Sequence, residues 1–343
     1  MSHTPTPTDR LMQLATGHYI SSALNVACKL NIADRLASGP LSAGELATVS
    51  EVQEDRLYRI LRFLAGVGVF QEEPERRFAN NPVSDLMRKD AAGSLRYAVE
   101  FLCDPLHFRV YAELMHGVRS GEKVAERVLG MPIFEYFAQQ TPEAKAENEV
   151  FNHAMTSFSK MAIGPVLKAF DFSGIGTLVD VAGGHGLILT SILQKYPQMK
   201  GVLFDLEHVV EGAKPRIRDL GLAGRCSTAH GDFFKAVPAG DAVIMKNIIH
   251  DWDDPEALTI LRNCRTALGE GGKKGRVILI EFHVGPANTP SLGKMVDLEM
   301  FMWPGGRERT DAEYAALFER AGFKLTRVVP TESPFSVIEA VCA

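Results

Sequence analysis

Residues 177–186 read TLVDVAGGHG, and no other stretch constrains the chain as much. Thr177, Leu178, Val179, Asp180 and Val181 form an apolar, β-branched run of strand length that breaks directly into Ala182, Gly183, Gly184, His185 and Gly186. That order predicts a strand, a tight glycine turn and a helix. Glycines suit such a turn because a ligand approaches the backbone closely only where no Cβ intervenes, and the helix behind it offers unpaired N–H groups. A second strand, Gly201 to Phe204, ends at Asp205, where doubly wound nucleotide sites set a carboxylate against ribose hydroxyls. The dinucleotide fingerprint needs a further glycine three residues after Gly186, and Leu189 stands there, so a pyrophosphate is not specified. The turn suits an adenosyl ligand with an amino-acid tail, S-adenosylmethionine (SAM), better than NAD.

The 343 residues, 46% of them hydrophobic, suffice for a large core and suggest two domains. A net charge of −5 gives no field that gathers nucleic acid or an anionic membrane, so small neutral or weakly polar substrates are expected. Cys28, Cys103, Cys226, Cys264 and Cys342 are scattered without CxxC spacing, which indicates neither zinc nor disulfides and fits a reducing cytoplasm. The opening MSHTPTPTDR lacks the order of a secretory signal. Residues 11–28 contain no Lys, Arg, Asp or Glu, yet Gln13, His18, Ser21, Ser22 and Asn25 make them too polar for a membrane span. A helix buried against a second subunit is expected there.

Residues 1–95 read as short helices ending in a hairpin. Ser42 with Glu45 forms a capping box. A second helix starts near Glu54, with Leu57, Ile60, Leu61 and Leu64 at helical spacing, and Gly66 and Gly68 stop it. Val69 and Phe70, a charged turn from Glu72 to Arg77, and Phe78 make a two-stranded wing. A winged helix raises DNA binding, but residues 34–90 hold eight basic and ten acidic residues, a mixed solvated face, so a dimerisation domain is expected. Residues 96–170 read as a helical linker and acceptor-binding segment; Phe151, Met155 and Phe158 share one helix face there, which ordinary core packing also produces.

Residues 171–343 alternate strand and helix, which predicts a Rossmann-like, doubly wound α/β domain. The strands are TLVDV, GVLFD, CSTAHGDF, DAVIMKNII and RVILIEF, with helices near 187–196, 207–219 and 255–268. Asp254 with Pro255 is expected to cap the last of these, and Gly269, Gly271 and Gly272 to end it. FKLTRVV and FSVIEAVC read as a closing antiparallel hairpin.

Ligands are expected at the carboxyl ends of the strands. Asp180, Gly183, Gly184 and Gly186 belong to the first end, Asp205 and Leu206 to the second. The third gives Gly231, Asp232 and Phe233, a carboxylate and an aromatic suited to the adenine amino group and ring face. Lys246, His250 and Trp252 follow the fourth; Glu281 ends the fifth, and Glu308 lies in a later PGGRERT loop. A His beside two carboxylates suggests general-base catalysis, one Glu orienting the imidazole and raising its basicity. Singly, such residues are usually just solvated.

With these motifs in place, Leu178 to Phe323 resembles the SAM-dependent small-molecule O-methyltransferases, the family of caffeate, acetylserotonin and hydroxyneurosporene methyltransferases. GDFF, NIIHDWDD and GGRERT are its most specific marks, and the winged-helix region is similar to that family's dimerisation domain. The resemblance implies a homodimer formed through the N-terminal domain. It implies His250 as catalytic base flanked by Glu281 and Glu308, with Asp205, Leu206, Asp232, Phe233 and Lys246 holding the cofactor. Trp252 would lie near the adenine and Ser159 near the methionine tail. Met155 would clamp the acceptor ring, among Phe151, Phe158, Met300, Met302 and Trp303. Two departures matter. The family's DVGGGTG is DVAGGHG here, and Ala182 is tolerable at negative φ but strained at positive φ. Phe158 and the MFMWP segment differ where the acceptor would bind, and predict a flat, apolar acceptor.

The chemistry so implied begins with an aromatic hydroxyl, whose free pKa is about 10. His250 removes its proton, a Glu stabilises the imidazolium, and the phenolate attacks the sulfonium methyl in line while opposite charges annihilate. No metal is expected: HDWDD also reads as a carboxylate cluster for magnesium, but helix capping accounts for Asp254. The rival readings are a SAM-binding relative that performs N-methylation, hydroxylation or decarboxylation, and a winged-helix ligand sensor that binds DNA.

Overall fold

The computed structural model describes residues 6–269 and 275–343, so Gly271 and Gly272 lie outside the described residues. The chain folds as two compact units, one of residues up to Ala112 with Tyr136–Phe158, the other of Glu113–Glu135 with Ser159–Ala343. The long helix Pro142–Ala169 contributes Phe151, Met155 and Phe158 to the first unit and Ser159 to the second.

In the first unit the Ser42 hydroxyl accepts from Glu45 N–H at 3.2 Å and the Glu45 carboxylate accepts from Ser42 N–H at 2.7 Å, which starts the helix Ala43–Ser50 as expected. The helix Glu54–Gly66 turns Leu57, Leu61 and Leu64 into a core with Ala27, Ile32, Leu46 and Phe78. Strands β1 (Leu41–Ser42), β2 (Phe70–Glu73) and β3 (Arg77–Asn80) pair antiparallel in the order β1-β3-β2. The wing therefore has a third strand, and its turn is narrower than Glu72 to Arg77. Glu75 and Arg76 take left-handed φ values of 61° and 55° and reverse the chain within Pro74–Arg76. Arg62 and Arg76 lie over the Tyr58 ring at 5.3 and 4.5 Å, which occupies part of the basic face. The apolar N-terminal stretch is two helices, Pro7–Ala15 and Gly17–Lys29, divided at Thr16, and Leu11, Met12 and Leu14 are exposed. No described helix is long and apolar enough to cross a membrane.

The second unit is built on a seven-stranded sheet. Its strands are β4 (Thr177–Val181), β5 (Lys200–Asp205), β6 (Cys226–His230), β7 (Ala242–Lys246), β8 (Arg276–Phe282), β9 (Phe323–Pro330) and β10 (Phe335–Cys342). Their order is β6-β5-β4-β7-β8-β10-β9; β4 to β8 are parallel, and β10 pairs antiparallel with β8 and β9 as the expected hairpin. The central strands read as continuous apolar runs because helices cover both faces. Val179, Val243, Val277, Leu279 and Ile338 form one core with Leu258 and Leu261 of the helix Asp254–Ala267 and Leu317 and Phe318 of the helix Asp311–Arg320.

Three details correct the sequence reading. β6 ends at His230, leaving Gly231, Asp232 and Phe233 in a loop, and β7 ends at Lys246 because Asn247 has a φ of 54°, which no pleat continues. Helices Leu292–Met302 and Asp311–Arg320 stand where no element was assigned, capped by Ser291 and Thr310. The cap of Asp254–Ala267 is Asp253, whose carboxylate accepts from Glu256 N–H at 3.1 Å. Asp254 instead binds Arg309 and Arg320 at 3.0 and 3.2 Å.

Candidate active site

Beyond β4 the chain makes its glycine turn. Ala182, Gly184 and Gly186 have φ of 54°, 58° and 71°, so the alanine departure falls on the strained side. Its N–H donates to the Phe204 carbonyl at 2.8 Å. Gly183 is required for space, since a Cβ there would lie 2.5 Å from Asp180 Cγ and Leu203 Cδ1. Asp205 ties the turn to β5: Oδ2 accepts from Gly184 N–H at 2.8 Å and Oδ1 from Leu206 N–H at 2.7 Å. Asp180 is buried beneath, and its Oδ2 has no hydrogen-bond partner. Burial, then the charge of Asp205, pushes the Asp180 carboxyl up to about 7. Two desolvated carboxylates, one with an uncommitted oxygen, fit a cationic amino-acid ligand at this strand end.

The loop after β6 presents Asp232, whose Oδ1 accepts from Phe234 N–H at 2.9 Å. Phe233 and Phe234 meet the Trp252 ring edge to face at 6.0 and 4.7 Å, and Phe134 lies 6.4 Å from it. An aromatic wall beside a carboxylate is a fitting surround for a purine.

His250 stands in the 3₁₀ turn Ile249–Asp251 after β7 and is buried. Its Nδ1 lies 2.6 Å from Glu308 Oε1 and 3.8 Å from Glu281 Oε2; its Nε2 lies 3.4 Å from Asp251 Oδ1. Both sides of the turn are pinned. Glu281 Oε1 accepts from the N–H groups of Ile248 and Ile249 at 3.2 and 3.1 Å, and the His250 carbonyl accepts from Arg307 N–H at 2.8 Å. Gly306 permits that second approach, because a Cβ there would stand 2.0 Å from the His250 carbonyl oxygen.

Desolvation dominates the electrostatics. It raises Glu281 and Asp251 to about 7 and Glu308 well above the carboxylate range, the last aided by Asp297 and opposed by Arg309. It lowers Lys246 to about 8, against the pull of Glu281, Asp251 and Asp180. Nδ1 is committed to Glu308 at 2.6 Å, whereas Nε2 has only the longer approach to Asp251 at 3.4 Å. An imidazole anchored in this way can take a proton at Nε2 and share the charge.

The expected acceptor residues are divided. Phe151 packs on Phe137 and Phe101 in the first unit, at 4.8 and 5.6 Å, with Met155 and Phe158 half-buried on the same helix. Met302 and Trp303 are buried in the second unit, Met300 and Ser159 half-buried. Three charged residues of the site have no role in the sequence analysis, although Asp251 stands in its HDWDD cluster. Asp251 faces Nε2; Asp297 Oδ1 accepts from Glu308 N–H at 2.9 Å; buried Arg309 donates to the carbonyls of Ile249 and Trp252 at 3.1 and 2.9 Å. Asp251 and Arg309 carried a signal, their places in NIIHDWDD and GGRERT, and Asp297 carried none.

Residues 111–324 match the O-methyltransferase domain, and residues 12–90 match the O-methyltransferase dimerisation domain. The chain belongs to the O-methyltransferase family. It is a SAM-dependent methyltransferase. This O-methyltransferase is 38% identical over 331 residues to the phenazine O-methyltransferase PhzM of Lysobacter antibioticus, across 96% of this chain and 95% of that one. It is 31% identical over 335 residues to the 8-amino-8-demethylriboflavin N,N-dimethyltransferase of Streptomyces davaonensis, across 97% and 95%. The SAH-bound structure of CalO1, a methyltransferase in calicheamicin biosynthesis, is similar with a TM-score of 0.85 at 30% identity, across 99% of this chain and 100% of that one.

Proposed function

We propose that this O-methyltransferase methylates an aromatic hydroxyl of a flat small molecule, with His250 as general base and without a metal. The observation that carries the reading is the buried 2.6 Å contact between His250 Nδ1 and Glu308 Oε1 at the strand ends. Bound SAM supplies an electrophilic methyl group on a sulfonium. Asp180 and Asp205 would hold its cationic tail and ribose, Asp232, Phe233 and Trp252 its adenine. An aromatic hydroxyl with a pKa of about 10 stays protonated at neutral pH. His250 Nε2 takes that proton, and Glu308 stabilises the imidazolium through Nδ1–H. Burial of the site strengthens both interactions, and the reaction consumes charge, so exclusion of water favours it. The acceptor class is supported by the phenazine named for one relative. A homodimer formed through residues 12–90 is part of the same reading.

An aromatic amine acceptor is the second reading, favoured by the relative named as an N,N-dimethyltransferase. A neutral amine offers its lone pair without prior deprotonation and needs no base. The test measures SAH release with hydroxylated and aminated phenazines. His250→Ala should reduce methylation of the hydroxyl by about 10²–10⁴-fold while SAM binding, measured by calorimetry, stays nearly unchanged. Hydroxyl turnover within a few-fold of the unmodified enzyme removes the base assignment; turnover confined to the amine and indifferent to His250 supports the second reading.

A further inference from the structure

The 3₁₀ turn that carries His250 is weakly closed by its own backbone: Asp251 N–H reaches the Ile248 carbonyl at 3.2 Å and Trp252 N–H the Ile249 carbonyl at 3.4 Å. The loop residues Arg307, Glu308 and Arg309 close on it from outside. Arg307 N–H donates to the His250 carbonyl at 2.8 Å, and Glu308 Oε1 lies 2.6 Å from His250 Nδ1. The Arg309 guanidinium, 1% exposed, donates from Nη1 to the Ile249 carbonyl at 3.1 Å and from Nη2 to the Trp252 carbonyl at 2.9 Å. Those carbonyls stand on either side of His250 in the chain. The remaining N–H groups are spent as well. Nε and Nη2 donate to Asp254 Oδ1 at 3.2 and 3.0 Å, and Nη1 to the Arg307 carbonyl at 3.4 Å. A guanidinium has five N–H donors, so none is left for a substrate. Asp254 is held in turn by Arg320 at 3.2 Å, which anchors the clamp at the start of one helix and the end of another.

Resting on the reading of His250 as the base, we infer that Arg309 is a positioning residue: its planar fork fixes the backbone on both sides of His250, while the preceding residue brings Glu308 to Nδ1. One loop segment thereby sets the distance between imidazole and carboxylate. An aliphatic side chain of the same volume would spare the cost of burying a charge, but it cannot hold two carbonyls. Burial and then Asp297 push the Glu308 carboxyl up, and the charge of Arg309 opposes them, so the clamp also favours an ionised partner for the imidazole. Lysine would keep that charge but offers three donors from one point and cannot span the same acceptors.

Arg309→Lys therefore separates geometry from charge. Turnover of the acceptor that the phenazine panel yields should fall by about 10–10²-fold, with the affinity for SAM by calorimetry nearly unchanged. The deciding measurement is the double-mutant cycle with His250→Ala. A residue that acts through His250 has nothing to position once the imidazole is gone, so Arg309→Lys should cost less than about twofold in the His250→Ala background. Losses that multiply show an arginine of general structural importance; they overturn the inference and leave His250 as base. Turnover of Arg309→Lys within about twofold of the unmodified enzyme overturns it too. If His250→Ala alone keeps its turnover, the base reading falls and the inference with it. Should Arg309→Lys not fold, Asp254→Ala decides by the same cycle: this half-buried side chain lies outside the site's chemistry, and its removal frees the Nε donor and one from Nη2. A loss of about threefold or more that disappears in His250→Ala supports the clamp; no loss, or one that persists there, overturns it.

Discussion

Ala182→Gly should make this enzyme more stable, although glycine substitutions ordinarily do the opposite. At a φ of 54° the alanine sits in the left-handed region. That conformation costs an L-residue about 1–2 kcal/mol, none of which glycine incurs. Glycine in turn loses more freedom on folding, which costs about 0.4–1 kcal/mol. The difference favours glycine by about 0.5–1 kcal/mol, or about 1–4 °C in melting temperature for a unit of this size. The bond from residue 182 N–H to the Phe204 carbonyl needs no side chain and survives. Gly184 supplies the mirror experiment, for its φ is 58° and a Cβ there would meet nothing within 4 Å, so Gly184→Ala tests the backbone contribution alone. It should lower the melting temperature by a comparable amount. Scanning calorimetry of the three proteins, with and without SAH, gives the answer. A melting temperature for Ala182→Gly equal to or below that of the unmodified enzyme would refute the strain argument, and an unaffected Gly184→Ala would locate the error in the cost assigned to left-handed backbone.

Two further outcomes are expected. Gly306→Ala places a Cβ 2.0 Å from the His250 carbonyl and must part the loop from the 3₁₀ turn; turnover should fall by about 10²-fold or more through misplaced Glu308, with SAM affinity nearly unchanged, and a parallel loss of both would show a general collapse instead. SAM should bind about tenfold more weakly at about pH 6 than at about pH 8, because Asp180 is raised to about 7 by burial and a cationic ligand prefers its ionised form, which populates as pH rises through that value. Calorimetry across that range should show the slope, and Asp180→Asn should flatten it; an equal slope in the variant assigns the proton elsewhere.

What the sequence made legible was local. A β-branched run meeting glycines, a carboxylate ending the next strand and a Ser–Glu capping box each carry their cause within a few residues, and β4, β5, the glycine turn and the helix at Ala43 follow from them. Left-handed backbone at Asn247, Glu75 and Arg76 left no such trace: Asn247 cuts β7 short, and Glu75 and Arg76 tighten the wing. The adjacent Asp253 and Asp254 before Pro255 are equivalent as caps in one dimension; Arg309, 55 residues away, engages Asp254 and leaves the cap to Asp253.

The same distinction divides the two glutamates that sequence reading treated as a pair. Glu281 is fixed by its strand and directs Oε1 at two backbone N–H groups, so it shapes the turn that presents His250. Glu308 arrives from a loop 58 residues beyond His250 and directs Oε1 at the ring itself, an approach that exists only because Gly306 has no side chain. A glycine in this enzyme therefore governs which carboxylate orients the imidazole. Each glutamate leaves its Oε2 without a hydrogen-bond partner, so the two differ in what Oε1 holds. The chemistry was readable as a set of residue types, whereas the division of roles among them arises from where a loop closes on a turn.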